Sequence, residues 1–193
     1  MFFKKKEILQ KAKNQMRMHV KNDIISKVKI KYYKYKGANI EKNTIIKFKA
    51  RLLRYFNNIS IGSDVIIKEY AEICCCNKYA NISIGKNTSI GNYTFIYASK
   101  SIEIGDDCMI APFCYLVDSN HGTSSITKMN RQENITNPIK IGNDVWIGAK
   151  SIILPGIKIG NGVVIAGGAV VTSDLDSMGI YGGVPAKKLN MRK

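Results

Sequence analysis

The residues best suited to chemistry stand together at Asp118-Ser119-Asn120-His121-Gly122. His121 is one of two histidines; the other, His19, lies in a lysine-rich N-terminal stretch. Imidazole, with an unperturbed pKa of about 6.5, accepts a proton from a hydroxyl or an amine near neutral pH. An aspartate three residues earlier has three candidate roles: orienting the imidazole, binding substrate, or bonding its own turn backbone. A loop histidine without a role is the competing reading, and these five residues alone do not decide. No Ser–His–Asp order with an elbow motif accompanies them, so a serine nucleophile is not expected. The five cysteines are Cys74, Cys75, Cys76, Cys108 and Cys114. An odd count with three in a row makes a poor disulfide framework, and with no C-x-x-C spacing they make a poor zinc site. Buried structural thiols are expected.

What must position His121 is a six-residue repeat. An aliphatic anchor recurs at Ile40, Ile46 and Leu52; Ile61, Ile67 and Ile73; Ile84, Ile90 and Ile96; Ile104, Ile110 and Leu116. An unbroken block follows at Ile141, Ile147, Ile153, Ile159, Ile165 and Val171. The residue after the anchor is glycine seven times, and the residue four after it is small in 12 of 18 cases. Six residues cover one short strand and a turn, and three such sides close a triangular coil. The anchor fills the inside, the small residue fits where walls meet, and glycine or asparagine supplies the turn. Gly85-Lys86-Asn87 and Gly160-Asn161-Gly162 fit such turns. A 3.6-residue helical period does not match. The spacing slips at 52–61, 73–84 and 96–104, where corners with longer turns are expected. About six coils are predicted. The one long break, Leu116 to Ile141, predicts a loop at about 118–138 that leaves the prism with His121 at its entrance.

These features resemble the hexapeptide-repeat acyltransferases, which fold as a left-handed parallel β-helix. The resemblance covers roughly residues 37–193. It is nearest the sugar and polysaccharide O-acetyltransferases related to the maltose and galactoside enzymes. It implies an all-β chain whose acyl donor is acetyl-CoA, with His121 as general base and direct attack by the acceptor. It also implies that Trp146, the only tryptophan, lies beside the pantetheine arm; one residue before an anchor, Trp146 is expected at a corner. Backbone at Ala149 and Gly167 would contact the pantetheine, with Thr172 beside the cofactor. Tyr181-Gly182-Gly183-Val184-Pro185-Ala186-Lys187-Lys188 is similar to the family's closing segment, so Lys187 or Lys188 would meet the CoA phosphates. Ser99 stands where galactoside-type relatives carry an acceptor-binding aspartate, which argues against simple carry-over of galactoside specificity. Asn92, Tyr97, Ser99 and Asn120 are the expected acceptor contacts. The family is trimeric, with active sites between subunits, and no metal is expected, because the repeat region holds a single histidine.

The chain has 193 residues and a formal net charge of +16. Residues 1–54 hold 17 Lys+Arg against 3 acids, so the basicity belongs to the N-terminal part. A basic arm at 1–36 is expected, followed by the repeat region at 37–178 and a CoA-phosphate tail at 179–193. In the arm, Ile8, Ala12, Met16 and Val20 fall four apart, a helical stripe, whereas Val28, Ile30 and Tyr32 alternate with lysines and predict a short strand. Such an arm is either a solvated surface or attracts anionic lipid; nucleic acid is the weaker alternative. The longest charge-free stretch, Ile159 to Ser173, is too short to span a bilayer, and the start lacks a secretory apolar core. Cytoplasmic placement is expected, peripheral at the inner face of a membrane if the arm binds lipid. The leading reading is an O-acetyltransferase acting on a sugar of a surface polysaccharide or its precursor. An N-acetyltransferase of an amino sugar, nucleotide-amino sugar or antibiotic, and a non-enzymatic basic β-helix, are the alternatives.

Overall fold

A computed structural model describes residues 23–193, so the stripe at Ile8, Ala12, Met16 and Val20 lies outside the described residues. The repeat folds as six stacked coils whose short strands form three parallel walls. The first wall runs through Asn39–Ile40, Ile59–Ile61, Asn81–Ile84, Ser101–Ile104, Ile139–Ile141 and Lys158–Ile159. The second holds Ile45–Ile46, Ile66–Ile67, Ser89–Ile90, Met109–Ile110, Trp146–Ile147 and Val164–Ile165. The third holds Arg51–Arg54, Glu72–Cys75, Phe95–Ala98, Tyr115–Val117, Ile152–Ile153 and Val170–Val171. Anchor pairs with anchor up each wall, as in Ile61 with Ile84 and Ile110 with Ile147.

All 18 anchors are buried, and so are all 12 small residues four places on. Apolar side chains of isoleucine size each stabilise by about 1.5–3 kcal/mol when buried, so the column of anchors supplies most of the cohesion. The small polar members also bond across coils. Thr88 and Thr94 donate to the carbonyls of Gly105 and Ala111, each at 2.9 Å. The expected slips are the longer corners between the third wall and the next first-wall strand.

The role expected of the post-anchor glycines needs correcting. Gly62, Gly85, Gly91, Gly105, Gly142, Gly148 and Gly160 do not adopt left-handed backbone. They are small because the next coil passes too close: a Cβ on Gly85 would lie 2.4 Å from the carbonyl carbon of Gly105. Left-handed backbone falls two places later, at Asn87 (φ 55°) and Gly162 (φ 67°), and also at Lys49, Tyr70, Tyr93 and Phe113. Three of these rings stack into a column: Tyr70 on Tyr93 at 4.6 Å and Tyr93 on Phe113 at 5.1 Å.

The alternation at Val28, Ile30 and Tyr32 does not make a strand. Helix α1 spans Ile24–Tyr35, N-capped by Asp23, whose carboxylate accepts from the Ser26 amide at 2.7 Å. The reason is the end of the β-helix, where among the described residues the first coil has no coil beneath it to pair its backbone. Side chains of α1 do so instead. Ser26 Oγ accepts from the Ile46 amide at 2.9 Å, Tyr33 Oη accepts from the Leu52 amide at 3.2 Å, and Lys29 Nζ donates to Lys47 O at 2.8 Å and to Ala50 O. Burial pushes the Lys29 amine below its usual range, with Asp23 partly opposing.

At the other end, the segment 179–193 is part of the second wall. Gly179–Gly182 pairs parallel to Val164–Ile165, and Lys187–Met191 pairs back antiparallel. All five cysteines are free thiols; four are buried and Cys76 is partly exposed.

Candidate active site

The chain leaves the prism after Tyr115–Val117 and returns at Ile139–Ile141. The base of the excursion is a two-stranded antiparallel hairpin, Ser119–His121 against Asn134–Thr136, with His121 opposite Asn134. The Asn137 amide donates to the Asp118 carbonyl at 2.8 Å and closes the hairpin. The tip is tied by Gln132, which accepts from the Ser124 amide at 2.9 Å and donates to the Ser124 and Thr127 carbonyls at 2.8 and 2.6 Å. Gly122 makes room for it, since a Cβ there would lie 2.6 Å from Gln132 Oε1.

Asp118 is fully buried, and its two carboxylate oxygens accept from the Ser99 amide at 2.6 Å and the Lys100 amide at 2.7 Å. The structure therefore corrects the candidate catalytic role. Asp118 binds backbone, but that of the coil below rather than its own turn, and no hydrogen bond joins it to His121 among the described residues. It fixes the point at which the hairpin departs. A carboxylate whose two oxygens each accept from a backbone amide makes strong, charge-assisted hydrogen bonds in a buried setting.

His121 opens onto a cleft of about 520 Å³ along the outer face of the third wall. Tyr97, Ser99 and Asn120 line it with His121; Arg54, Cys76, Ser119, Asn134 and Leu154 line it too. Ser99 and Ser119 hydroxyls lie 3.2 Å apart on neighbouring coils. Tyr97 Oη donates to the Glu72 carboxylate, which also holds Arg51. Tyr97 is thereby fixed at the cleft wall. Asn92 is not part of the cleft: it sits at the corner between second and third walls, where Nδ2 donates to Glu69 at 3.0 Å.

The residues expected near the cofactor lie outside this cleft. Ala149 and Gly167 are stacked at the corner between second and third walls, where the Gly168 amide donates to Ala149 O at 2.8 Å. A Cβ on Gly167 would meet Ala149 O at 3.2 Å and one on Gly168 nothing, so backbone is approachable here. Trp146 is not at a corner. It lies within a second-wall strand, 48% exposed, between Met109 and Val164. Lys187 and Lys188 stand on the last strand of that wall, opposite Gly182 and Tyr181. Thr172 is exposed just past the last third-wall strand. None of these six lines the His121 cleft. Among the described residues, no group of three or more His, Cys, Asp or Glu is placed to hold a metal ion.

Sequence reasoning missed Arg54, Cys76 and Asn134. The signal for two of them was in the anchor register. Cys76, Ser99 and Ser119 all stand three places after a third-wall anchor, and Arg54 two places after the first such anchor.

Six coils of hexapeptide repeat with one long excursion define a class of parallel β-helix, and comparison with known proteins agrees. Residues 138–173 match the bacterial transferase hexapeptide (six repeats) model, and residues 81–111 match the hexapeptide repeat of succinyl-transferase. The chain is 38% identical over 110 residues to a chloramphenicol acetyltransferase of Klebsiella aerogenes, covering 56% of this chain and 50% of that protein. It is 32% identical over 114 residues to a putative lipopolysaccharide biosynthesis O-acetyl transferase of Escherichia coli, covering 55% and 58%. Among solved structures it resembles a variant of AntD, an N-acyltransferase from Bacillus cereus in complex with dTDP-4-amino-4,6-dideoxyglucose and coenzyme A. That likeness has a TM-score of 0.75 at 28% identity, over 85% of this chain and 89% of the other. The chain thus carries the hexapeptide repeat of these transferases and is similar to acetyltransferases that share it. It spans about half the length of the curated relatives it matches.

Proposed function

We propose that this chain transfers an acetyl group from acetyl-CoA to a sugar hydroxyl, on a surface polysaccharide or its precursor, with His121 as general base. The observation that carries this reading is the His121 cleft. A solvent-accessible imidazole stands over a groove lined by hydroxyl and amide side chains, the chemistry that recognises sugars. The acceptor O–H gives its proton to an imidazole nitrogen as its oxygen attacks the thioester carbonyl carbon. The C–S bond then breaks, and the imidazolium returns the proton to the departing sulfur. The products are an acetyl ester and free CoA thiol. Burial pushes the Cys74 and Cys108 thiols up to about 11 and Cys75 up to about 12, and none of the three lines the cleft.

In this reading the pantetheine runs along the approachable backbone of Ala149 and Gly167, with Trp146 and Thr172 beside it, and Lys187 or Lys188 meets the phosphates. The enzyme works as a homotrimer. The excursion carries Ile126 and Met129, 92% and 66% exposed, which suits a loop laid on a neighbouring copy. The protein acts in the cytoplasm, where α1 gives it a peripheral membrane contact. Ile24, Val28, Tyr32 and Tyr35 are exposed along α1 between Lys27, Lys31 and Lys34, a mixture suited to an anionic bilayer surface. No helix of the described residues is long and apolar enough to cross a membrane.

A second reading is supported by the likeness to AntD, an N-acyltransferase: the acceptor is an amine on a nucleotide-linked amino sugar. Thiol release from acetyl-CoA, assayed against a panel of glycans, nucleotide sugars and amino sugars, separates the two. Turnover with hydroxyl acceptors is expected. Turnover with amines alone would transfer the case to the second reading.

A further inference from the structure

The cleft beneath His121 is longer than one sugar. Its lining runs from Arg54, in the first coil, to Leu154, in the fifth. Neighbouring coils are about 4.8 Å apart, and the Arg54 guanidinium reaches the Cys76 carbonyl of the second coil, so it stands about two spacings, roughly 10 Å, from the fourth coil, which delivers His121. Arg54 is the sole permanently charged side chain in the described lining, which holds no carboxylate. The acids nearby are already engaged: Glu72 by Arg51 and Tyr97, Asp118 by two backbone amides.

Two further features mark Arg54. Its backbone is left-handed, with φ at 64°, a conformation that non-glycine residues rarely adopt. Its hydrogen bond among the described residues goes from Nη1 to the Cys76 carbonyl at 3.0 Å. That contact lays the guanidinium along the cleft wall while the group retains further donors in its planar fork. A guanidinium fork suits carboxylate or phosphate oxygens, which it can bind through two parallel hydrogen bonds.

We propose that Arg54 forms an anion subsite at the far end of the His121 cleft, selecting acceptors that carry a carboxylate or phosphate about two coil spacings, roughly 10 Å, from the coil that delivers His121. This rests on the His121 cleft being the acceptor site. The acceptor class it names is an acidic oligosaccharide or a sugar carried on phosphate, rather than a neutral monosaccharide.

The test uses matched acceptor pairs with the full chain. One pair is two trisaccharides that differ by a terminal glucuronic acid in place of glucose, which reports a carboxylate. The other is dTDP-glucose against methyl glucoside, which reports phosphate. Binding is measured calorimetrically without acetyl-CoA, and KM and kcat are measured with it. The charged member of at least one pair is expected to bind about 10-fold or more tightly, as a charge-assisted contact would give. Arg54→Gln should erase that preference through KM with kcat held, and Arg54→Lys should keep part of it. Equal preference in wild type and Arg54→Gln, or no preference in wild type, would overturn the subsite. Thermal melts of both variants exclude misfolding as the cause. An Arg54-dependent binding preference without acetyl transfer would uphold the subsite and sink the transferase reading, whereas transfer without preference does the reverse.

Discussion

Asp118 and His121 are three residues apart and do different work. Asp118 closes two amides of the coil below, and His121 faces the cleft. Replacing Asp118 with Asn puts an amide donor against one of those N–H groups. A buried donor left without an acceptor costs about 1–3 kcal/mol. Asp118→Asn should therefore lower the melting temperature by several degrees and lower activity with it, leaving the pH dependence of the remaining activity unchanged. A shifted pH profile with an unchanged melt would instead assign Asp118 to the imidazole. His121 itself was legible from its neighbours and from its place at the only long break in the repeat. Arg54 was overlooked, although its place two residues after a third-wall anchor marked it for the same face. Asn92 follows a second-wall anchor and so lies at the corner between second and third walls, outside the cleft.

Among the elements, the coils follow the anchor rhythm closely, because each six-residue period must bury one side chain and turn once. The excursion at about 118–138 keeps the bounds that the break implies. Helix α1 was the error, and the cause is tertiary. The alternation of Val28, Ile30 and Tyr32 with lysines describes a strand only if the lysines face water, yet Lys29 reaches two carbonyls of the first coil. Asp23, whose carboxylate caps the Ser26 amide three residues on, was the local sign of a helix. Ser26→Ala removes the acceptor for the buried Ile46 amide. A stability loss of about 1–3 kcal/mol is expected, read as a shift in the denaturation midpoint with the slope unchanged. No shift would mean that water caps the open end as well as the hydroxyl does.

At the scale of the whole molecule, three flat walls, an exposed aromatic column at Tyr70, Tyr93 and Phe113, and an excursion with an apolar tip suit cyclic packing of three copies. Light scattering of the purified chain should give three times the monomer mass, and Ile126→Asp with Met129→Asp should lower it. A monomer that turns over at full rate would remove the need for a neighbour. Oligomeric state and acceptor were the features least legible in the sequence, because both depend on surfaces and not on the buried repeat. The central claim remains chemical: His121 takes the proton of the acceptor. The direct measurement is acceptor-dependent release of CoA thiol by wild type and by His121→Ala, with matched melting curves. A fall of about 100-fold or more in kcat, with the fold intact, is predicted for loss of a general base. An unchanged rate in the variant would contradict the account.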